Sequence, residues 1–154
     1  MANTYTQLYT HIVFAVKGRA SIIHNDIKDK IYKYISGIIS KQNQKLYIIN
    51  GMPDHIHILV SMKPNLALSD LVKEIKEHST KFINNEKLVK GKFYWQEGFG
   101  GVSVSHSQLD VVINYIKNQE EHHKRKTFKE EYMEMLKKYC IDYKDAYLFE
   151  WMEE

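Results

Sequence analysis

The chain is poor in the residues that mark secreted or membrane-anchored proteins. Cys140 is its only cysteine, so no intramolecular disulfide can form and a cysteine-rich zinc module is excluded. No apolar run approaches the ~20 residues of a membrane-crossing helix. The opening Met1-Ala2-Asn3-Thr4-Tyr5 lacks the charged-then-apolar pattern of a signal peptide. These absences predict a soluble protein of the cytoplasm. With two prolines and seven glycines in 154 residues, no linker, repeat or low-complexity segment stands out, and 1–154 reads as a single domain. Hydrophobic residues make up 44%, which excludes wholesale disorder. The 22 Lys+Arg against 19 Asp+Glu give a net charge of +3, which permits a nucleic-acid partner without requiring one. Eleven tyrosines are many for this length, and a tyrosine can be a nucleophile.

Hydrophobic spacing sets out the elements. Leu8 to Val16 reads as a strand ended by Lys17-Gly18-Arg19. Asp26 can cap a helix whose Ile27, Ile31, Tyr34, Ile35, Ile38 and Ile39 repeat at three and four. Lys45–Asn50 and His55–Met62 form a hairpin across the turn Gly51-Met52-Pro53-Asp54. Ser69 can cap a second helix running to about Asn84. Phe93-Tyr94-Trp95 opens a fourth strand, with Gly98 to Gly101 as a bulge or flexible turn. Ser105-His106-Ser107-Gln108 is a capping-box pattern opening one long helix. Past Thr127 an amphipathic segment leads to Tyr147-Leu148-Phe149, read as a last docking strand. This order predicts an α+β fold, a ferredoxin-like antiparallel sheet with helices on one face, followed by a C-terminal helix.

Two places could carry chemistry. In Asp54-His55-Ile56-His57-Ile58-Leu59-Val60, residues two apart share a strand face, so His55 and His57 can converge on one metal while Ile56, Ile58 and Val60 fill the core. An incidental polar strand face is the plainer reading of that motif. On the long helix, Tyr115 and Gln119 lie one turn apart on one side; the plainer reading is a half-buried tyrosine and a solvated glutamine.

Taken together, four segments resemble the HUH-type single-tyrosine transposases of small bacterial insertion sequences, which include the REP-associated tyrosine transposases. They are Val13-Phe14-Ala15-Val16-Lys17-Gly18-Arg19, Asn50 to Val60, Lys92 to Phe99, and Val112 to His123 with its Tyr-x-x-x-Gln. The resemblance covers nearly the whole chain. It implies that His55, His57 and Gln119 bind a divalent metal, Mg or Mn, and that Tyr115 is the nucleophile on a catalytic helix. Cleavage and rejoining of hairpin-marked single-stranded DNA through a 5′-phosphotyrosine would follow. It also implies a homodimer in which the tyrosine helix of one subunit completes the histidine site of the other, in a bacterial cytoplasm and on the nucleoid when bound to DNA.

Lys17, Arg19, Lys90, Lys92, Lys124, Arg125 and Lys126 are candidate phosphate contacts; for the last three, cations favouring a helix C-terminus is the rival reading. Asp54 reads first as a turn former, with orienting one imidazole ring or approaching the metal as the alternative; Glu97 and His106 are candidate neighbours of the site, and the roles of His122 and His123 stay open. Other readings of the chain are a domesticated nicking relative acting on repeated palindromes, or a non-catalytic nucleic-acid-binding module using Tyr5, Tyr9 and Tyr47 on strands. A metal-dependent hydrolase is a third, for which the sequence offers no evident third His or carboxylate ligand.

Overall fold

The structure is a computed structural model that describes residues 3–19, 22–144 and 148; of Arg19 only the backbone is described. Four strands, β1 (Tyr9–Ala15), β2 (Lys45–Met52), β3 (His55–Ser61) and β4 (Gly100–Val104), form one antiparallel sheet in the order β2-β3-β1-β4. Helix α1 (Asn25–Lys41) joins β1 to β2, and α2 (Leu68–Asn85) joins β3 to β4. This is the expected ferredoxin-like arrangement. Among the described residues three further α-helices follow: α3 (Leu109–Lys117), α4 (Gln119–His123) and α5 (Phe128–Lys138).

Strand periodicity divides the sheet into two buried faces. On one, Ile12, Phe14, Ile56, Ile58 and Val60 pack with Ile31, Ile35 and Ile39 of α1 and Leu71 and Ile75 of α2. Each buried aliphatic side chain there contributes ~1.5–3 kcal/mol. On the other, Leu59 and Val104 pack beneath Leu109 and Ile116 of the α3 region. Both faces are therefore covered, α1 and α2 holding one and the C-terminal helices the other. Among the described residues no helix is long and apolar enough to cross a membrane.

Several expected boundaries move. Phe93-Tyr94-Trp95 is not a strand; Trp95 makes a single bridge to Val16, and β4 begins at Gly100. Phe93 and Trp95 are buried, so the segment is held by its side chains and a few isolated backbone bonds rather than by a ladder. Gly100 and Gly101 pair with Val13 and Ile12 inside β4. A Cβ on Gly100 would lie 2.7 Å from the Tyr132 hydroxyl, so this glycine makes room for α5. The hairpin turn narrows to Pro53 and Asp54, with Gly51 inside β2. A side chain on Gly51 would strike the His55 carbonyl and lie 2.8 Å from Ile56 Cα.

Helix starts also differ. Neither Asp26 nor Ser69 caps: the N-cap positions are His24 and Ala67, with no side-chain cap bond, and the acids Asp26 and Asp70 sit in the first turns. Ser105 opens a short 3-10 turn instead of a capping box. The single long helix is two, broken at Asn118. Thr127 does cap α5, its hydroxyl accepting from the Glu130 amide at 3.1 Å. Leu148 packs against the core; the rest of the expected last strand lies outside the described residues. Lys76 of α2 is half-buried and donates to the Gln96 and Gly98 carbonyls at 2.7 and 2.6 Å.

Candidate functional site

The site lies on the sheet face covered by α3, α4 and α5. β3 is flanked by β1 and β2, and His57 pairs in register with Val13 on one side and Asn50 on the other. A central strand fixes both backbone and side-chain direction, so His55 and His57 present fully buried imidazoles toward the helices. Asn50 ties the helices down: its Nδ2 donates to the carbonyls of Ile116 and Lys117 at 3.0 and 3.1 Å. That clamp sits where the long helix breaks, and it sets Tyr115 on one side of the break and Gln119 on the other.

The residues converge on Glu131, which α5 brings in. Its Oε1 lies 3.1 Å from His57 Nε2, 3.4 Å from His55 Nε2 and 3.3 Å from His123 Nε2. Its Oε2 accepts from Gln119 Nε2 at 3.0 Å and from the Tyr115 hydroxyl in a short hydrogen bond. Gln119 Oε1 stands 3.2 Å from His55 Nε2. Behind them, His55 Nδ1 donates to Asp54 Oδ1 at 2.7 Å, His57 Nδ1 meets His11 Nε2 at 2.9 Å, and Phe128 stacks on His55 at 3.8 Å between centroids. Tyr115, half-buried, rests against His122 with ring centroids 4.5 Å apart.

The charges follow from these contacts. Burial alone would favour a neutral Glu131, but His57 and the bonds from His123, His55 and His57 outweigh it and keep the carboxyl ionised. Burial also opposes charge on His55, yet Asp54 and Glu131 raise its pKa above the ordinary value. His57 is shifted down by burial, against the pull of Glu131. Burial and the neighbouring His57 lower His11 to about 3. The Tyr115 phenol is pushed above its usual value by burial and by the Glu131 charge, so it remains a donor.

The donor set fits a divalent cation. With Asp54 holding the Nδ1 proton, a neutral His55 turns its Nε2 lone pair toward two oxygens, Gln119 Oε1 and Glu131 Oε1. Such acceptor-on-acceptor convergence requires either an extra proton on His55 or a cation between them. One ligand atom each from His55, His57 and Glu131 lies within 4.8 Å of the others. Asp54 and His11 stand where residues that orient metal-ligating imidazoles stand.

Of the residues named from sequence, His55, His57, Gln119 and Tyr115 are thus brought together. The tyrosine that lies beside the histidines here is that of the same chain. Lys17, Lys90, Lys92, Lys124, Arg125 and Lys126 are exposed and outside this cluster; Lys124 pairs with Glu121 and Lys126 with Glu134. Tyr9 and Tyr47 pack edge to face beneath α3 rather than lining an open sheet, and Tyr5 lies outside the strands.

Glu131, His11 and the role of His123 were missed, while Asp54, read first as a turn former, takes its other reading and holds the His55 ring. Glu131 carried a signal: it is a carboxylate on the same stripe as Phe128, Tyr132 and Met135, where a buried charge needs partners. It also supplies the carboxylate whose apparent absence weighed against a metal-dependent hydrolase.

Comparison with known proteins agrees with this architecture. Residues 4–119 match the family model described as IS200-like transposase. A curated relative, the ISDra2 transposase TnpA of Deinococcus radiodurans, is 28% identical over 119 residues, covering 73% of this chain and 84% of that protein. A crystal structure assigned to a transposase of Deinococcus radiodurans R1 superposes with a TM-score of 0.61 at 24% identity, covering 76% of this chain and 94% of the other. The REP-associated tyrosine transposase, solved bound to a REP hairpin, has the same fold at a TM-score of 0.61 and 14% identity, over 79% and 72% of the two chains. With its central four-stranded sheet, its histidine strand and the following tyrosine helix all inside the matched span, the chain belongs to the IS200-like transposase family.

Proposed function

We propose that this transposase cleaves and rejoins single-stranded DNA at hairpin-marked ends, with Tyr115 as the nucleophile and a 5′-phosphotyrosine as the intermediate. The observation that carries the reading is the hydrogen bond between the Tyr115 hydroxyl and Glu131, whose other oxygen faces His55 and His57. Nucleophile, proton acceptor and candidate metal ligands are thereby one connected unit.

His55, His57 and Glu131, with the Gln119 amide oxygen, would hold the metal; imidazole with oxygen donors suits Mn²⁺, and Mg²⁺ is the other candidate. When bound, a divalent ion neutralises charge on a scissile phosphate and orients it for in-line displacement. Asp54 and His11 hold the two imidazole rings in place. Tyr115 Oη forms the new bond to phosphorus as the P–O3′ bond breaks. Its proton has Glu131 Oε2 as acceptor, and the same carboxyl can return that proton to the departing 3′ oxygen. The 5′ end stays on the protein as an ester, and attack by a 3′-hydroxyl reverses the step and rejoins strands. The exposed cations Lys17, Lys90, Lys92, Lys124, Arg125 and Lys126, together with Arg19 from the sequence, would contact phosphates.

The unit is complete within one chain, which supports a site built in each protomer. A homodimer that exchanges its tyrosine helices would assemble the same unit from two copies. One experiment separates the possibilities. Wild-type protein with Mn²⁺ and a labelled single-stranded hairpin substrate is expected to give a denaturant-resistant adduct that peptide mapping assigns to Tyr115, and Tyr115→Phe to give neither adduct nor cleavage. Cleavage that survives in Tyr115→Phe means water-mediated hydrolysis, and tight binding with no adduct under any divalent metal means a binding module. In mixtures of Tyr115→Phe and His57→Ala proteins, recovered cleavage establishes exchanged helices, and no recovery despite demonstrated heterodimers establishes a one-chain site.

A further inference from the structure

Tyr94 is the feature that neither the core nor the site accounts for. The residue is 47% exposed, between Phe93 and Trp95 at 0% and 7%. The backbone around it is fixed on both sides. Asn84 clamps Phe93, accepting from its N–H at 2.7 Å and donating to its carbonyl at 3.1 Å. The Lys17 amide donates to the Tyr94 carbonyl at 3.0 Å, and the Gln96 amide to the Ala15 carbonyl at 2.8 Å. Trp95 Nε1 donates to Ser79 Oγ at 2.9 Å. An exposed aromatic on an immobile backbone loses little entropy when a planar partner covers it.

A cation accompanies the ring: Lys17 Nζ stands 5.5 Å from its centroid, within the range of a cation–π contact. Lys90 and Lys92, both exposed, lie on the same segment, which carries one carboxylate, Glu97. The position adjoins the candidate site. Ala15 pairs with His55, and the Val16 amide donates at 2.9 Å to the carbonyl of Asp54, whose carboxylate holds His55. Lys17 is two residues beyond Ala15, a distance of ~7 Å along an extended chain.

We propose that Tyr94, flanked by Lys17 and Lys92, is a stacking platform for an unpaired nucleobase of the DNA strand that enters the site. Every base offers a π-face and every nucleotide a phosphate, so an aromatic ring flanked by lysines favours single strands with little sequence preference. This rests on the reading of the protein as a single-strand transposase, but its test needs neither cleavage nor a metal.

Binding is measured with the full chain carrying Tyr115→Phe, on a DNA hairpin with a single-stranded extension labelled with 2-aminopurine. Tyr94→Ala is expected to weaken binding of the extended hairpin ~10-fold, within the range for loss of one base–aromatic stack, and to abolish quenching of the probe. Tyr94→Phe should retain both, and a blunt hairpin should bind all three proteins equally. Thermal melting checks that each variant is folded, which the ring's exposure predicts. Unchanged affinity in Tyr94→Ala, an equal loss on the blunt hairpin, or a loss in Tyr94→Phe as large as in Tyr94→Ala each overturns the platform. If the phosphotyrosine adduct forms and Tyr94→Ala binds normally, the platform alone falls. If no adduct forms and the Tyr94 effect persists, the platform stands and the cleavage reading falls.

Discussion

The two faces of β3 are made by alternate residues of one heptapeptide and are chemically opposite. Ile56, Ile58 and Val60 enter an apolar core with α1 and α2, while His55 and His57 enter a buried polar cluster with α4 and α5. Both sets are essentially inaccessible to solvent, so burial does not distinguish them. The difference is what each demands of its surroundings. An apolar side chain needs only well-packed neighbours. A buried imidazole or carboxylate needs specific partners at hydrogen-bond distance, because leaving one unpaired costs several kcal/mol. Hence the apolar face is covered by helices adjacent in sequence to the strands they cover. The polar face is completed by Glu131, 74 residues beyond His57.

The contrast is open to direct attack. The largest effect is expected from His57→Ala, which removes an imidazole from the polar face. Mn²⁺ binding, read by calorimetry, and DNA cleavage should both fall by more than ~100-fold, the upper range for loss of a residue that merely supports a ligand. The thermal midpoint should move less than for a core deletion. Undiminished metal binding would remove His57 from the ligand set.

Ile58→Ala, one residue away on the other face, should do the reverse. Deleting its buried side chain should cost ~2–5 kcal/mol in urea unfolding, while cleavage per folded molecule and Mn²⁺ affinity stay near wild type. A loss of metal affinity comparable to that of His57→Ala would show that the faces are not separable.

The smallest effect concerns acid. His11 takes a proton at 6.5 when unfolded and at about 3 when folded. Between those values the unfolded chain binds more protons, so stability is fully present above 6.5 and declines as pH falls toward 3. One group contributes a slope of at most ~1.4 kcal/mol per pH unit. Chemical denaturation at a series of pH values should therefore give a shallower acid limb for His11→Asn than for wild type. An identical limb would mean that His11 is not buried in its neutral form.

Local pattern made much of this molecule legible. The alternation of β3, the hairpin before it and the three-and-four repeats of α1 and α2 follow from periodicity alone, because each depends on residues a few positions apart. His55 with His57, and Tyr115 with Gln119, were likewise readable as short-range pairs. Errors fell where a nearby residue type suggested structure that distant contacts overruled. Phe93-Tyr94-Trp95 has strand-forming residues, yet β1 pairs with Gly100–Val104 and the aromatics anchor against Asn84 and Ser79. The segment after Ser105 has continuous helical periodicity, yet it breaks at Asn118, where the Asn50 side chain takes the Ile116 and Lys117 carbonyls.

By itself, then, the sequence determined the α+β order, the apolar face of the sheet and the two residue pairs that carry the candidate chemistry. Only the tertiary structure decided that those pairs meet in one chain, that α5 delivers Glu131 between the Tyr115 hydroxyl and the two imidazoles, and that His11 and Asp54 stand behind the rings. The physical reason is range: periodicity records which way a side chain faces within its own element. The partner it meets there is set by how elements far apart in the chain pack together, and a buried charge such as Glu131 is tolerable only where that packing supplies its donors.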